Sequence, residues 1–221
     1  MSRRGFKGNA VNPIRERVKA NVPAVVLALL GIIQAFAVEL LWSFVVSEPT
    51  LYAINLEALI SWLQIAVLLA GILIIWLVYA INVARFVWIP SISEFITPFW
   101  VGFLQFFTNH SMGFENPGYW FLGFATIIAT MNWTAHETMR RARSDPENAA
   151  FFDQRGKAEL SDFYPVIALI AMIVSSGLGF ILFGFADWLV FVLLLVCFAS
   201  LVGQFLQLQR WWRRSVEDIS P

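Results

Sequence analysis

Six apolar runs, each long enough or nearly long enough to cross a lipid bilayer, constrain this chain more than any motif in it. They fall at about 22–46, 57–83, 92–108, 118–138, 163–185 and 188–209. An α-helix rises about 1.5 Å per residue, so roughly twenty apolar residues match the ~30 Å hydrocarbon layer. Lipid offers a bare backbone no hydrogen-bond partner, so such runs cross as helices. The expected fold is all-α: a polytopic transmembrane helical bundle of about six spans, forming a single integral membrane domain over residues 1–221. With 59% apolar and only 14% charged residues, the chain lies outside the usual range of soluble domains, and the lipid bilayer is its first expected partner.

Charge gives those spans a direction. All fifteen Lys and Arg residues can be placed on one side of the membrane. Arg3, Arg4, Lys7, Arg15, Arg17 and Lys19 lie near the N-terminus, and Arg85 follows the second run. Arg140, Arg141, Arg143, Arg155 and Lys157 lie in the 139–162 loop, and Arg210, Arg213 and Arg214 follow the last run. Cationic loops resist translocation, so residues 1–21 and 210–221 are expected as cytoplasmic tails of a protein in the plasma (inner) membrane. Glu48, Glu57, Glu115 and Asp187 fall in or beside the opposite loops. Dispersed flanking charges of this kind orient helices and do not suggest nucleic acid as a partner. About twenty polar residues precede the first run and no small-residue cleavage site follows it, so it is expected to act as an uncleaved anchor. The links at 47–56, 109–117 and 185–187 are too short for an outer domain. The 139–162 loop, with five basic and five acidic residues, is expected to be a surface helix and linker, with a turn at Asp145-Pro146.

The third run is the short one. Ser91 with Glu94 three positions later reads as a capping box that starts its helix. The sixteen residues from Ile92 to Phe107 then span about 24 Å. A re-entrant course would invert every later segment and put the basic central loop outside, so a crossing is expected. Trp42, Trp120 and Trp188 fall near predicted outer ends, and Trp88, Trp133, Trp211 and Trp212 near inner ends, as amphipathic rings at the headgroup level should. Trp62, Trp76 and Trp100 are expected to pack between helices.

Chemistry must then come from polar groups inside the spans, where an unpaired charge is expensive. In the first run Ala24, Ala28, Gly31 and Ala35 form a small-residue stripe whose next position is Glu39. Such stripes mark close helix approach, so the spacing predicts that Glu39 faces the bundle. Ser61, Gln64, Gly71 and Asn82 share a face of the second run, and Gln105 and Asn109 sit four apart in the third. Similar depths predict one polar cluster of Glu39, Gln64, Gln105 and Asn109 as the candidate functional centre. A simpler alternative makes Glu39 a snorkelling interfacial residue and the glutamines interhelical hydrogen-bonding groups. Asn132, His136 and Arg140 recur every four residues, with Thr126, Thr130 and Thr134 beside them. Asn132 and His136 are a candidate pH-sensitive gate, against the plainer reading of a helix end at the headgroups. In the fifth run Ala168, Ala171, Ser175 and Gly179 predict tight packing within the bundle or between protomers, and Gln204 and Gln207 add polar groups near the inner face.

Several classes are disfavoured. His110 and His136 fall on opposite faces, and the lone Cys197 lies in an apolar run, so no metal, haem or other cofactor is expected. No phosphate loop, nucleophile elbow or HExxH signature is present, and an enzyme is not expected. The expected function is that of a channel or carrier for an ion or small solute of unknown identity. The alternative is a non-catalytic subunit or scaffold of a larger membrane complex. A homo-oligomer or a membrane-complex partner suits either reading.

Overall fold

The computed structural model describes residues 13–153, 159–184 and 186–217. Arg3, Arg4, Lys7, Arg155, Lys157, the expected turn residue Phe185 and the end of the C-terminal tail lie outside the described residues. The helices are α1 (Pro13–Ser47), α2 (Leu56–Arg85), α3 (Ile92–His110), α4 (Pro117–Arg143), the single turn α5 (Ala149–Phe152), α6 (Tyr164–Phe183) and α7 (Asp187–Glu217). No strand occurs among the described residues. Four of these helices, α1, α2, α6 and α7, are long and apolar enough to cross a membrane.

Local chemistry explains the boundaries. Asn55 caps α2 by accepting a hydrogen bond from the Ala58 amide at 2.8 Å. Pro117 opens α4, where its missing N–H leaves no intrahelical bond unmade. Arg140, Arg141 and Arg143 fill the last turn of α4, where cations complement the helix dipole. Gly184 ends α6 with φ of +80°, a left-handed conformation that a side chain would oppose.

The core forms in two parts that share α2 and α4. Ile60, Val67 and Ile74 of α2 and Phe121, Phe124 and Ile128 of α4 pack with Ile173 and Phe180 of α6 and with Val190 and Leu194 of α7. Leu68, Ile72 and Ile75 of α2 and Ile127 of α4 pack instead with Val26 and Leu30 of α1 and Val101 and Leu104 of α3. Two-sided burial is why α2 reads as an almost continuous apolar run. Outward-facing Ile32, Phe36, Leu69, Leu73, Phe99, Phe103 and Leu195 are exposed. Hydrocarbon suits such a surface, and the chain reads as an integral membrane protein.

Contacts at one end of the bundle show that neighbouring helices alternate in direction. Lys19 of α1 meets Asp145 beyond α4, Glu94 at the start of α3 meets Arg141, and Arg85 at the end of α2 lies over the Trp211 ring of α7. The described Lys and Arg residues therefore gather at that end. Glu48, Glu57, Glu115 and Asp187 belong to the opposite end.

Three local expectations are corrected. Most of the small-residue stripe of α1 faces outward: Ala24, Ala28, Ala35 and Glu39 are exposed and only Gly31, half-buried, lies beside Trp76, while Pro23, Val26, Leu30, Gln34, Ala37 and Leu41 form the packed face. Larger side chains at three- and four-residue spacing interlock with α2 and α3, and most of the small residues are left outside. Ala168, Ala171 and Ser175 of α6 likewise face outward, and the close crossing of α4 with α6 uses Gly118 and Gly177. The α3 helix starts after Ser91 as expected, but the Ser91 side-chain half of its capping box does not form. Ser91 makes no side-chain cap, its Oγ lies 2.6 Å from that of Ser93, and Glu94 turns into the bundle; at its other end α3 continues to His110, so it runs nineteen residues and spans about 28 Å. Trp62, Trp76 and Trp100 are 39–48% exposed, whereas Trp88 and Trp120 are fully buried.

A Cβ at Gly118 would fall 2.8 Å from the Gly177 carbonyl oxygen and 2.6 Å from the Ile181 side chain. Gly118→Ala is expected to lower stability by about 1–3 kcal/mol through overpacking. Gly179→Ala meets nothing within 4 Å and serves as the neutral control, with thermal melting in detergent as the measurement.

Candidate functional site

The inward face of α3 carries the densest buried polar chemistry among the described residues. Glu94, Pro98, Val101, Leu104, Gln105, Thr108 and Asn109 are its buried positions, a spacing that keeps them on one side of a helix. This face turns toward α1 and α4 and away from the exterior, which Phe99, Phe103 and Phe106 occupy.

Toward the acidic end, the Gln105 Nε2 donates to Gln34 Oε1 at 2.9 Å. Gln64 holds the loop after α3: its Oε1 accepts from the Gly113 amide at 2.9 Å and its Nε2 donates to the Gly113 carbonyl at 3.4 Å. Thr108 returns its hydroxyl to the Leu104 carbonyl at 2.7 Å. Other buried atoms here have no hydrogen-bond partner among the described residues: Gln34 Nε2, Gln105 Oε1, Trp120 Nε1 and both polar atoms of the Asn109 amide. Native interiors leave few such groups unmet.

Of the predicted cluster, Gln64, Gln105 and Asn109 are buried as a set on α2 and α3, but Glu39 is not with them. It lies five residues beyond Gln34, about 140° round the helix, on the exposed face. Gln34 takes the place assigned to Glu39. Its signal was present in the sequence, because it continues the Val26, Leu30, Ala37 and Leu41 pattern of the packed face.

Toward the basic end the face carries a charge. Glu94 is 4% exposed; its Oε2 accepts from the Trp88 indole N–H at 2.9 Å and its Oε1 from Arg141 Nη1 at 2.8 Å. Arg141 also lies 3.8 Å from Glu137, which pairs with Arg140 at 2.7 Å. The Tyr79 ring meets Trp88 edge-on at 6.2 Å, and its buried hydroxyl has no partner among the described residues. Reading Glu94 as a cap hid this site.

The segment beyond α4 closes that end. Asn148 Nδ2 donates to the carbonyls of Val87 at 2.6 Å and Ala142 at 2.7 Å, and its Oδ1 accepts from the Val87 amide at 3.1 Å. Phe151 and Phe152 pack on Phe86 with ring centroids at 4.9 and 5.5 Å. Lys19 Nζ reaches Asp145 at 2.7 Å and Glu147 at 3.0 Å. Burial works to raise the Asp145 carboxyl, but the Lys19 hydrogen bond, the Glu147 amide and the charges of Lys19 and Arg15 outweigh it and hold the group below its usual range.

Asn132 and His136 stand apart from α3, on the wall of a cavity of about 390 Å³ between α2, α4 and α7. Asn132 Nδ2 donates to the Ile128 carbonyl at 2.9 Å, and His136 sets its ring edge-on to Phe163 at 5.3 Å. His110 is exposed at the end of α3, and Cys197 is buried in the core of α7.

Two predictions follow from the charged end. Arg141→Met strands the buried Glu94 carboxylate and should cost about 3–5 kcal/mol. Glu94→Gln should cost about 1–2 kcal/mol, because Trp88 retains an oxygen acceptor and Arg141 retains Glu137. Equal losses in detergent melting would contradict this asymmetry. Asp145 is depressed, so its contribution is complete above its unfolded value of about 4 and is lost as pH falls through the lower folded value. Wild type should therefore lose more stability than Asp145→Asn between pH 5 and the acid limit of about pH 2. No family model, curated protein or solved structure matches this chain.

Proposed function

We propose that the protein is a carrier or channel for an ion or small polar solute, with the path along the inward face of α3. The observation that carries this reading is the run of buried amides with unmet bonds, Gln34, Gln105 and Asn109. Each unmet buried group costs about 1–3 kcal/mol, and a passing solute would supply the missing partners. Six spans, both termini cytoplasmic and a plasma (inner) membrane location complete the proposal. The gathering of described Lys and Arg residues at one end supports that orientation. The packing of α3 between α1 and α4, and the length of α4 at twenty-seven residues or about 40 Å, support two further crossings beside the four apolar helices.

Reconstitution of the full chain into liposomes tests the reading. Proton, sodium, potassium and chloride fluxes can be followed with dyes, and urea and glycerol entry by light scattering. Gln105→Leu and Asn109→Leu should each reduce the wild-type flux at least tenfold while melting is preserved. Glu39→Gln should leave it unchanged, since that residue faces outward. Wild-type liposomes no more permeable than empty ones to every probe would overturn the proposal.

One observation favours the second reading, a subunit or scaffold of a larger assembly. Most of the small residues of α1 and α6 lie on outward faces, where another helix could approach closely. Stoichiometric co-purification of a partner chain in mild detergent, with no flux, would favour it.

A further inference from the structure

We infer that the cavity between α2, α4 and α7 binds an uncharged amphiphile, a molecule with an apolar body and a compact head rich in oxygen acceptors. The site is separate from the α3 path and does not depend on it. At about 390 Å³ the space falls within the range of small-molecule sites. Ile74, Val78, Ile81 and Leu208 form apolar walls. Asn82, Asn132, Gln204 and Gln207 bring four neutral amide side chains, and His136 an imidazole, to the same space. The side chains of Asn82, Gln204 and Gln207 make no hydrogen bond to any other described residue. Asn132 commits one N–H to the Ile128 carbonyl and keeps its amide oxygen as an acceptor.

Asn82 lies eight residues, or about 12 Å, nearer the basic end of α2 than Ile74. His136 lies one turn beyond Asn132 on α4, and Gln207 lies beyond Gln204 on α7. Trp211 closes the same side, with the Arg85 guanidinium 5.8 Å from its ring. Apolar and amide groups interleave along the site: Ile74 and Val78 precede Asn82 on α2, whereas Met139 follows Asn132 on α4 and Leu208 and Trp211 follow Gln204 on α7, so an amphiphile seated there meets amides beside hydrocarbon. The lining itself carries no carboxylate, Lys or Arg, so its direct contacts to a head group come from amides and the His136 ring. Neutral amides suit carbonyl, hydroxyl or ester oxygens. A quinone ring and a glyceride head share that chemistry. An apolar groove of about 410 Å³ along α2 and α7, lined by Trp76, Leu77, Phe205 and Trp212, shares Ile81 and Leu208 with the cavity as a common wall.

The full chain in detergent should be titrated separately with decylubiquinone, dioctanoylglycerol and dioctanoylphosphatidylglycerol, with bound ligand counted by native mass spectrometry. Saturable binding of one molecule of an uncharged probe is expected, and which of the two binds identifies the source. The Asn132→Leu, Gln204→Leu double variant should weaken that binding at least tenfold with its melting temperature retained. Gln207→Ala, a change at the exposed rim, should weaken it about threefold and gives the same readout if the double variant fails to fold. Equal or tighter binding of the anionic probe, no binding of either uncharged probe, or wild-type affinity in the folded variants would each overturn the inference. None of these outcomes bears on flux through the α3 path.

Discussion

The Glu94 carboxylate can occupy the inside of this bundle only because Trp88 and Arg141 both reach it. An ionised carboxylate without partners in a low-dielectric interior costs several kcal/mol, enough to cancel most of the stability of a domain. The pair therefore decides which face α3 turns inward. Once Glu94 is fixed at the start of the helix, Gln105, Thr108 and Asn109 are buried by helical repeat, and the Phe-rich side faces out. The pair also joins the start of α3 to the end of α4, and the linker carrying Trp88 is bound in turn by Asn148. Loss of this contact would release three elements at once.

The broad architecture was legible in the sequence because apolar length and flanking charge are direct statements about insertion. The runs at 57–83 and 118–138 became α2 and α4 with small changes of boundary, and the basic residues that are described do gather at one end. Facing was harder. The rule that small residues mark helix contacts holds where a neighbour's backbone comes close, as at Gly118 and Gly177, but α1 meets α2 and α3 through Val26, Leu30 and Leu41. Both patterns recur at three and four residues, so periodicity alone does not choose between two faces of a helix that is apolar all round. Gln34, the one polar residue on the larger-side-chain face of the α1 span, was the discriminating signal.

Glu94 was hidden for a different reason. A Ser followed three residues later by Glu has a valid local explanation, and local capping competes with any tertiary partner for the same carboxylate. The same carboxylate also takes an indole donor six residues upstream and a guanidinium forty-seven residues downstream, and only the fold brings the second of them near. The 139–162 stretch followed the same pattern. Its balanced charges read as a surface helix and linker, and a short helix does form there, but Asn148, Phe151 and Phe152 bind the 86–88 segment and make it part of the packed end.

The two ends of the α3 face differ in a way that electrostatics explains. At the basic end the buried group is charged and both carboxylate oxygens are met. At the acidic end the buried groups are neutral amides, and several of their atoms are unmet. A neutral amide tolerates an unmade bond at about 1–3 kcal/mol, whereas an unpaired ion does not fit at any comparable cost. Unmet capacity is therefore affordable only where the chain uses Gln and Asn. A second uncommitted set, Asn82, Gln204 and Gln207, is again uncharged and again faces space rather than packed side chains. An amide that holds helices together bonds across to its neighbour, as Gln105 does with Gln34. The Asn109 amide is instead buried with neither atom engaged. Asn109 is therefore the residue at which the proposed path and simple interhelical bonding make different demands on the chain.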